Sequence, residues 1–493
     1  MIARGVLIVV ACTALVHAES RPRYGGSVEG SLLGAPVTLD PVLAQAHAEL
    51  TCVELVFDTL YRIGPAGIVQ PHLAIDAPQL DANRARITIR AGVKFHDGTD
   101  LTAADVAASL ERVRTAPASR WIVSAVSAIR ADGAVVELTL KAPVPELATL
   151  LALPQAAVTK GGKPPGERPL GSGPFKVGAF DPRAKQLTLD AFDEHFAGRP
   201  YLDQLVLRWY DTHDGEARQF ERGGAQLSAR GVAAFTGAQP KYRAEDVEGP
   251  AALLVFVGFG RAHMDVTADR NFRRSLDFAL ARGALASVGS GERVTPSRLP
   301  VPVEAGAPVL DPAGRADDLP RAKAALALAA KVVKALDPAR LATLKLEILV
   351  EDTRPDDREV AERVAYALNK LGIASVITAV PAATLRDRVK RGDCDLWIGQ
   401  LAAPVSAATA WWGSAFAIAG DPWAEQQLSA GSLDRAAAAK AFGERLPILP
   451  LVFRAVRIWH RTDVRGLGFD ASGRPSYADL FLFGDPARSK ARP

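Results

Sequence analysis

The segment spanning residues 344–380 constrains the fold most, because it contains a complete strand–helix–strand unit. A predicted strand opens the segment, and the apolar residues that follow it recur at helical spacing. Asp356 or Asp357 can cap this helix, Gly372 can end it, and a second strand closes the segment at 373–380. A unit of this length predicts two parallel strands joined by a right-handed crossover, and therefore an α/β lobe.

The length of the chain indicates more than one such lobe. With 493 residues it exceeds what one hydrophobic core of ordinary size can organise, so we expect two or three domains or lobes. The net charge of +4 is small for this length, and aromatic residues make up only 6%. No basic stripe is interleaved with aromatic residues, which argues against binding to nucleic acid.

The N-terminus has the pattern of a secretory signal peptide. Arg4 precedes an apolar stretch, residues 5–16, that is too short to span a bilayer, and the pattern predicts cleavage after Ala18. The alternative is a lipoprotein whose lipidated residue is Cys12. No later stretch reaches about 18 uninterrupted apolar residues, so no membrane span is expected.

Chemistry-bearing residues give poor support for an enzyme. The chain lacks the motifs of serine hydrolases, zinc proteases and phosphate-binding loops, so we expect no catalysis and no cofactor. The acidic pairs at 351–352 and 356–357 are explained most simply by a helix cap and a solvated turn. The acidic and histidine cluster at 210–214 can be a metal site or a surface turn, and the turn is the simpler explanation.

The two cysteines of the mature chain, Cys52 and Cys394, are far apart in sequence. An oxidising compartment would permit a disulfide between them. We expect two separate buried thiols instead, because the two residues are predicted to lie in different lobes.

Several motifs carry a resemblance to a known family. The segment 87–106 is predicted to form a strand, a turn at Asp97-Gly98 and a helix capped by Thr102. It resembles a stretch found in family 5 extracellular solute-binding proteins, the periplasmic receptors of peptide and nickel ABC transporters. The segments 56–61, 171–177 and 446–452 also resemble motifs of this family, in the same order.

The resemblance implies a fold and a location. The fold is a two-lobe α/β clamp with an extra subdomain inserted in lobe 1. We place the signal peptide at 1–18, lobe 1 at 19–265 plus 446–493 with the subdomain at about 62–170, and lobe 2 at 266–445. The resemblance also implies a monomeric periplasmic receptor that delivers a small-molecule or peptide solute to ABC permease subunits. The alternative is an orphan receptor that signals to a membrane sensor or acts as a chaperone.

The resemblance further implies where a ligand is held. Family members bind extended ligands partly through backbone hydrogen bonds, as a strand is added to a sheet edge. In this chain the corresponding residues are Ser31, Leu32, Leu33 and Gly34 in lobe 1, and Gln400, Leu401 and Ala402 in lobe 2.

At one position the chain departs from the family. Peptide-binding members usually carry W-x-x-D-Y-x-D-P, whose first aspartate pairs with the ligand ammonium, and here Trp397 is followed by Gln400 in place of that aspartate. A buried ammonium needs a counter-charge, which an amide does not supply. Either the ligand lacks a free cationic amine or another acid supplies the charge, and we favour the former hypothesis.

Three further residues are candidates for the same cleft. Trp411 and Trp412 can form an aromatic wall of the cleft, or they can pack in the core of lobe 2. Arg354 follows a predicted strand end, where it can bind an anionic ligand group or form a surface salt bridge.

Overall fold

The computed structural model describes residues 22–64, 66–166, 168–229, 243–288, 293–310, 315–431 and 433–483. The predicted signal peptide at 1–18 and Cys12 lie outside the described residues. Within the described ranges, no helix combines the length and the apolar character that crossing a membrane requires.

Lobe 1 is built on a four-stranded sheet that two distant parts of the chain form together. Its strands are β1 (Ser27–Ser31), β8 (Phe175–Asp181), β9 (Gln186–Ala191) and β10 (Gln204–Arg208). The order is β1-β10-β9-β8, with β1 parallel to β10 and the other pairs antiparallel. Helix α1 (His47–Val56) buries Leu50 and Val53 in the same core.

A second, smaller sheet lies within the segment predicted as the inserted subdomain. Its strands are β4 (Gln79–Asp81), β5 (Arg84–Thr88), β6 (Val126–Asp132) and β7 (Val135–Leu140), all antiparallel in the order β4-β5-β7-β6. Helix α2 (Ala103–Thr115) joins the same core. Thr102 caps it, because Thr102 and Asp105 exchange hydrogen bonds, and the predicted strand, turn and capped helix are confirmed. The bounds 62–170 for a separate subdomain stay a prediction.

Lobe 2 is built on a six-stranded mixed sheet. Its strands are β13 (Leu253–Phe259), β14 (Val294–Pro296), β15 (Lys345–Glu351), β16 (Ala374–Val380), β17 (Leu396–Ala402) and β18 (Leu449–Arg454), in the order β14-β18-β13-β17-β15-β16. β15 is parallel to both β16 and β17, and the other pairs are antiparallel. Core side chains cover both faces, as sheets with parallel strands require.

The predicted strand–helix–strand unit is confirmed as β15, α9 (Pro355–Lys370) and β16. The predicted cap is wrong, because the helix begins at Pro355 and places both Asp356 and Asp357 inside its first turn. Gly372, with φ of +79°, follows the last turn, as the sequence predicted.

The sheet pairing bears on the lobe bounds 19–265 plus 446–493 and 266–445, which stay a prediction. Boundaries at 265 and 446 assign β13 and β18 to lobe 1, whereas both strands pair within the sheet of lobe 2. The segments 249–252 and 455–456 join this sheet to strands outside it. The sequence motif at 446–452 is a strand, but its pattern does not say which sheet the strand joins.

The remaining strands lie beside the lobe 1 sheet or form hairpins. They are β2 (Tyr61–Ile63), β3 (Val69–Pro71), β11 (Leu227–Ser228), β12 (Ala244–Glu248), β19 (Arg457–Arg461), β20 (Val464–Arg465) and β21 (Phe481–Leu482). The remaining helices are α3 (Leu147–Leu150), α4 (His213–Glu221), α5 (Met264–Thr267), α6 (Arg270–Ala279), α7 (Leu319–Ala330), α8 (Pro338–Leu341), α10 (Ala382–Arg391), α11 (Ala408–Ile418), α12 (Trp423–Ser429) and α13 (Arg435–Arg445).

Cys52 and Cys394 are both buried and free. Cys52 belongs to the core of lobe 1, and Cys394 belongs to a different core cluster that lines the lobe 2 sheet. The prediction of two separate buried thiols is confirmed.

Candidate ligand site between the lobes

A small cavity lies where the two lobes meet. Its volume is ≈ 40 Å³, room for about three water molecules. The side chains and backbone that line it come from both lobes and from the connecting segments: Leu33, Gly34, Ala229, Leu253, Arg354, Pro355, Asp356, Asp357, Gln400, Arg454, Ala455 and Val456.

The fold of lobe 2 explains why two predicted residues meet here. β15 and β17 are parallel neighbours, so their carboxyl ends lie at the same edge of the sheet, where ligands of α/β folds bind. Arg354 follows β15 and Gln400 lies near the end of β17. The pairing of β17 with β15 stops at Trp397, so among the described residues the end of β17 has no strand partner on that side.

Arg354 is buried, and its guanidinium lies between two carboxylates. Its Nε lies 2.9 Å from Glu351 Oε2 and 3.1 Å from Asp357 Oδ2. Burial opposes the charge of the guanidinium, but the carboxylates of Asp357 and Glu351 raise the pKa of Arg354. The terminal nitrogens Nη1 and Nη2 make no hydrogen bond to any residue within the described ranges.

Asp357 joins Arg354 to Gln400. Its Oδ1 accepts a hydrogen bond of 3.1 Å from Gln400 Nε2, and the carboxyl group is fully buried. Burial raises the pKa of Asp357 to about 6; Arg354 opposes this shift and Glu351 adds to it. Because a carboxylate only accepts hydrogen bonds, the nitrogen of the Gln400 amide must face Asp357. Gln400 Oε1 is then left buried with no hydrogen-bond partner.

Direct contacts between the lobes surround this group. The backbone N–H of Ala35 in lobe 1 donates to Glu351 Oε1 at 3.2 Å and to Thr353 Oγ1 at 3.1 Å. Glu49 of α1, fully buried, forms an ion pair with Arg386 of α10. These contacts hold the two lobes together around the cavity.

His213 makes a further contact between the lobes. Its Nε2 lies 2.9 Å from Asp356 Oδ1 at the start of α9, and Arg454 Nη2 donates to the other oxygen of Asp356 at 3.1 Å. Within the described ranges, no group of three or more His, Cys, Asp or Glu side chains is arranged to hold a metal ion. The sequence could not reveal this contact, because Asp356 lies 143 residues from His213.

Sequence reasoning also missed the acidic residues of the site. The acidic pairs were attributed to a cap and a solvated turn, but Glu351 is 5% exposed and Asp357 is 0% exposed. This interpretation is wrong for these two residues, because lobe 1 and Gln400 cover the end of β15. Five of the seven positions at 351–357 are acidic or arginine, and this density of charge at a strand end was the available signal.

The predicted backbone segments divide between the cavity and the cores. Leu33, Gly34, Arg354 and Gln400 line the cavity. Ser31 does not, because its hydroxyl donates to Glu216 and accepts from the N–H of Ala229. The other members of the two segments pack in the hydrophobic cores: Leu32 and Ala402 in the core of lobe 1, and Leu401 in the core that lines lobe 2.

The three predicted tryptophans do not line the described cavity. Trp397 is three residues from Gln400 on one strand, so the two side chains lie on opposite faces of the sheet, and Trp397 packs edge-on against Phe256. Trp411 is fully buried and its Nε1 donates to the carbonyl of Pro404 at 2.9 Å. Trp412 is 2% exposed and lies in the same core. These positions favour core packing over a cleft wall.

Comparison with known sequences agrees with this architecture. The model of the family described as bacterial extracellular solute-binding proteins, family 5 Middle, matches residues 69–417, more than half of the chain. The chain is 31% identical over 202 residues to the HTH-type transcriptional regulator SgrR of Photorhabdus laumondii, covering 40% of this chain and 35% of the regulator. It is 23% identical over 292 residues to the oligopeptide-binding protein AppA of Bacillus subtilis, covering 55% of this chain and 53% of AppA. The matches thus span about half or less of the length of these curated relatives.

Comparison with solved structures shows the same fold. The complex of Bacillus subtilis AppA with a nonapeptide has a TM-score of 0.76 at 18% identity, covering 94% of this chain and 100% of that chain. NikA from Staphylococcus aureus in complex with Ni(L-His)2 has a TM-score of 0.77 at 18% identity, covering 93% and 100%. At these identities the likeness shows the fold alone, and it confirms the predicted two-lobe α/β clamp. Together with the matching family model, it follows that the chain belongs to the family 5 bacterial extracellular solute-binding proteins.

Proposed function

We propose that this solute-binding protein, which is not an enzyme, is the periplasmic substrate-binding component of an ABC importer of the peptide/nickel type. It captures a solute between its lobes and delivers it to the permease subunits as a monomer. The observation that carries this proposal is the cavity between the lobes, where Arg354 and Gln400 hold hydrogen-bonding atoms that no described residue uses. Ligand pockets of about 300–1,000 Å³ combine such enclosure with a few placed polar groups. This cavity of ≈ 40 Å³ is large enough for only one small group, so a whole solute enters when the lobes part.

The contacts between the lobes supply the mechanism. Ala35 and His213 bind lobe 2 residues that line the cavity or adjoin its lining in sequence. Glu49 pairs with Arg386 of α10. A solute seated against Arg354 and Gln400 stabilises the closed arrangement, and the segments near 249–252 and 455–456 act as the hinge. Ligand affinity and lobe closure are therefore linked.

The ligand we propose carries no free ammonium group at Gln400. The nearest carboxylate is Asp357, whose Oδ1 already accepts from Gln400 and whose Oδ2 lies beside Arg354. An ammonium group would meet the amide of Gln400. Asp357 Oδ2 accepts no hydrogen bond, but it lies 3.1 Å from Arg354 Nε, so an ammonium group that reached it would meet the like charge of the guanidinium. The ligand is thus a different class from an ordinary free-amine peptide. Binding of unmodified di- to pentapeptides that is abolished by N-acetylation would contradict this.

Native mass spectrometry of the purified protein tests the proposal by identifying any solute that co-purifies. A thermal-shift screen then confirms each candidate, because a ligand at a hundredfold excess over its Kd raises stability by about 2.7 kcal/mol. We expect one bound solute per chain that raises the melting temperature. A protein that carries no solute and responds to none in a broad screen would contradict a receptor function.

A second candidate function is a solute receptor that signals. The match to the transcriptional regulator SgrR favours it, because part of that regulator is similar in sequence to this chain. A gene deletion separates the two functions: loss of uptake of the identified solute supports transport. Unchanged uptake with an altered transcriptional response to the solute supports signalling. A chaperone role predicts neither change.

A further inference from the structure

We propose that Asp357 is a positioning residue that makes Gln400 and Arg354 a paired acceptor and donor for a neutral amide-type group of the ligand. This inference rests on the proposed function, since it concerns the site between the lobes. It assigns the chemical class of the ligand group and the residue that selects it.

The geometry places the two recognising groups side by side. One oxygen of Asp357 accepts from Gln400 Nε2 at 3.1 Å, and the other lies 3.1 Å from Arg354 Nε. Since both oxygens belong to one carboxylate, the amide of Gln400 and the guanidinium of Arg354 are immediate neighbours. Asp357 is fully buried and lines the same cavity as both of them.

Asp357 also fixes which atoms face outward. With its nitrogen held by a carboxylate, Gln400 can offer only the acceptor Oε1, which is buried without a partner. Arg354, held through Nε, offers its terminal nitrogens as donors. The site therefore presents one acceptor beside donors, the complement of a group that contains an N–H beside a C=O.

Other common ligand groups match this pair less well. An ammonium group has donors only, so it would leave the donors of Arg354 without an acceptor. A carboxylate has acceptors only, so it would face the oxygen of Gln400 and would add a third carboxylate around Arg354, beside Glu351 and Asp357. A secondary or primary amide, such as an acylated amine or a lactam, satisfies both partners without adding charge.

A competition experiment tests this with defined probes. Free-amine tripeptides and their N-acetylated counterparts are mixed in equal amounts with the full chain, and the bound species are quantified by native mass spectrometry. We expect the wild type to favour the acetylated pool at least tenfold at pH 7.5. Gln400→Asp, which restores an acid on the strand, should invert the preference. Asp357→Asn, which frees the amide to turn, should reduce the preference at least fivefold.

Two controls keep the test independent of folding. Asp317→Asn removes a carboxylate that pairs with Lys370 at the far end of α9, and it should behave as the wild type. The wild type at pH 5 should show the same reduced preference as Asp357→Asn, because Asp357 is then protonated. The charged groups that face Asp357 are Glu351 before α9, Arg354 at its start and Arg454 on β18.

The outcomes separate this inference from the proposed function. A wild type that favours the free-amine pool, or an Asp357→Asn variant with unchanged preference and an unchanged wild type at pH 5, overturns the inference. If neither peptide pool binds, the proposal that the ligand carries an amide-type group is overturned, even when another solute co-purifies. Only a protein that retains no solute of any kind overturns the receptor function itself.

Discussion

Replacing Gly34 with alanine should impair closure of the lobes while leaving each lobe folded. Gly34 has φ of +101°, and a Cβ at this position would lie 2.8 Å from Glu351 Oε1 and 3.1 Å from Arg354 Cγ. The first atom belongs to a carboxylate that also accepts from the N–H of Ala35, so it cannot move away without loss of that contact. The added methyl group therefore acts on the joint between the lobes.

The free-energy cost of Gly34→Ala has two parts. An alanine in the left-handed backbone conformation is strained by about 1–3 kcal/mol, and this strain is the same in the open and closed arrangements. The close contact with Glu351 and Arg354 is made only when the lobes are closed. An overpacked contact costs about 1–3 kcal/mol, which weakens closure, and the linked ligand affinity, by about 5–150-fold.

Gly98→Ala is the matched control. Gly98 has φ of +82° and nothing within 4 Å of an added Cβ, so this variant introduces backbone strain without a close contact. Both variants should lower the melting temperature in calorimetry by similar amounts. Small-angle scattering should show a larger radius of gyration for Gly34→Ala only, and native mass spectrometry should show that it alone loses co-purified solute. Equal scattering curves and equal solute retention in the two variants would show that the methyl group at position 34 does not act on closure of the lobes.

Four other changes have defined outcomes. Asp58→Asn breaks a buried carboxylate contacted by two histidines and a serine and should cost about 3 kcal/mol in urea unfolding at pH 7. Burial opposes ionisation of Asp58, but the histidines hold its pKa well below the usual range, so this stability declines progressively as pH falls below about 4, and the difference between variant and wild type should shrink with it. Trp411→Ala should cost about 3–5 kcal/mol as a core deletion with unchanged solute identity, and selective loss of solute would instead indicate a cleft wall. Arg386→Gln should weaken closure by about 1 kcal/mol, and an unchanged radius of gyration would argue against that interlobe contact. Cys52 and Cys394 should react with a thiol reagent only after unfolding, and an intact-mass loss of two hydrogens would show a disulfide instead.

Local sequence patterns predicted the local structure well. The segment 87–106 encodes its strand, turn and helix cap through neighbouring residues, and the unit at 344–380 encodes its parallel strands through periodicity and length. Arg354 was a candidate because it follows a predicted strand end, and Gln400 because of the family resemblance. Both line the cavity, since the ends of parallel neighbouring strands share an edge of the sheet.

Features that depend on distant partners were not predictable in this way. Asp357 has the pattern of a helix-start residue, and the partners that surround it when it is buried include Gln400, 43 residues away in sequence. Trp411 is apolar and aromatic in either a cleft or a core, and only the packing against Phe453 and the bond to Pro404 separate the two positions. The pairing of β18 with β13 was not predictable, because a strand pattern carries no information about its partner sheet.

The most direct test of a solute site between the lobes is a crystal structure of the protein with its co-purified solute retained. We expect closed lobes and electron density for the solute in contact with Arg354 and Gln400, with an N–H of the solute facing Gln400 Oε1. Solute density outside the space between the lobes, or a solute whose ammonium group displaces Gln400 to reach Asp357, would contradict it.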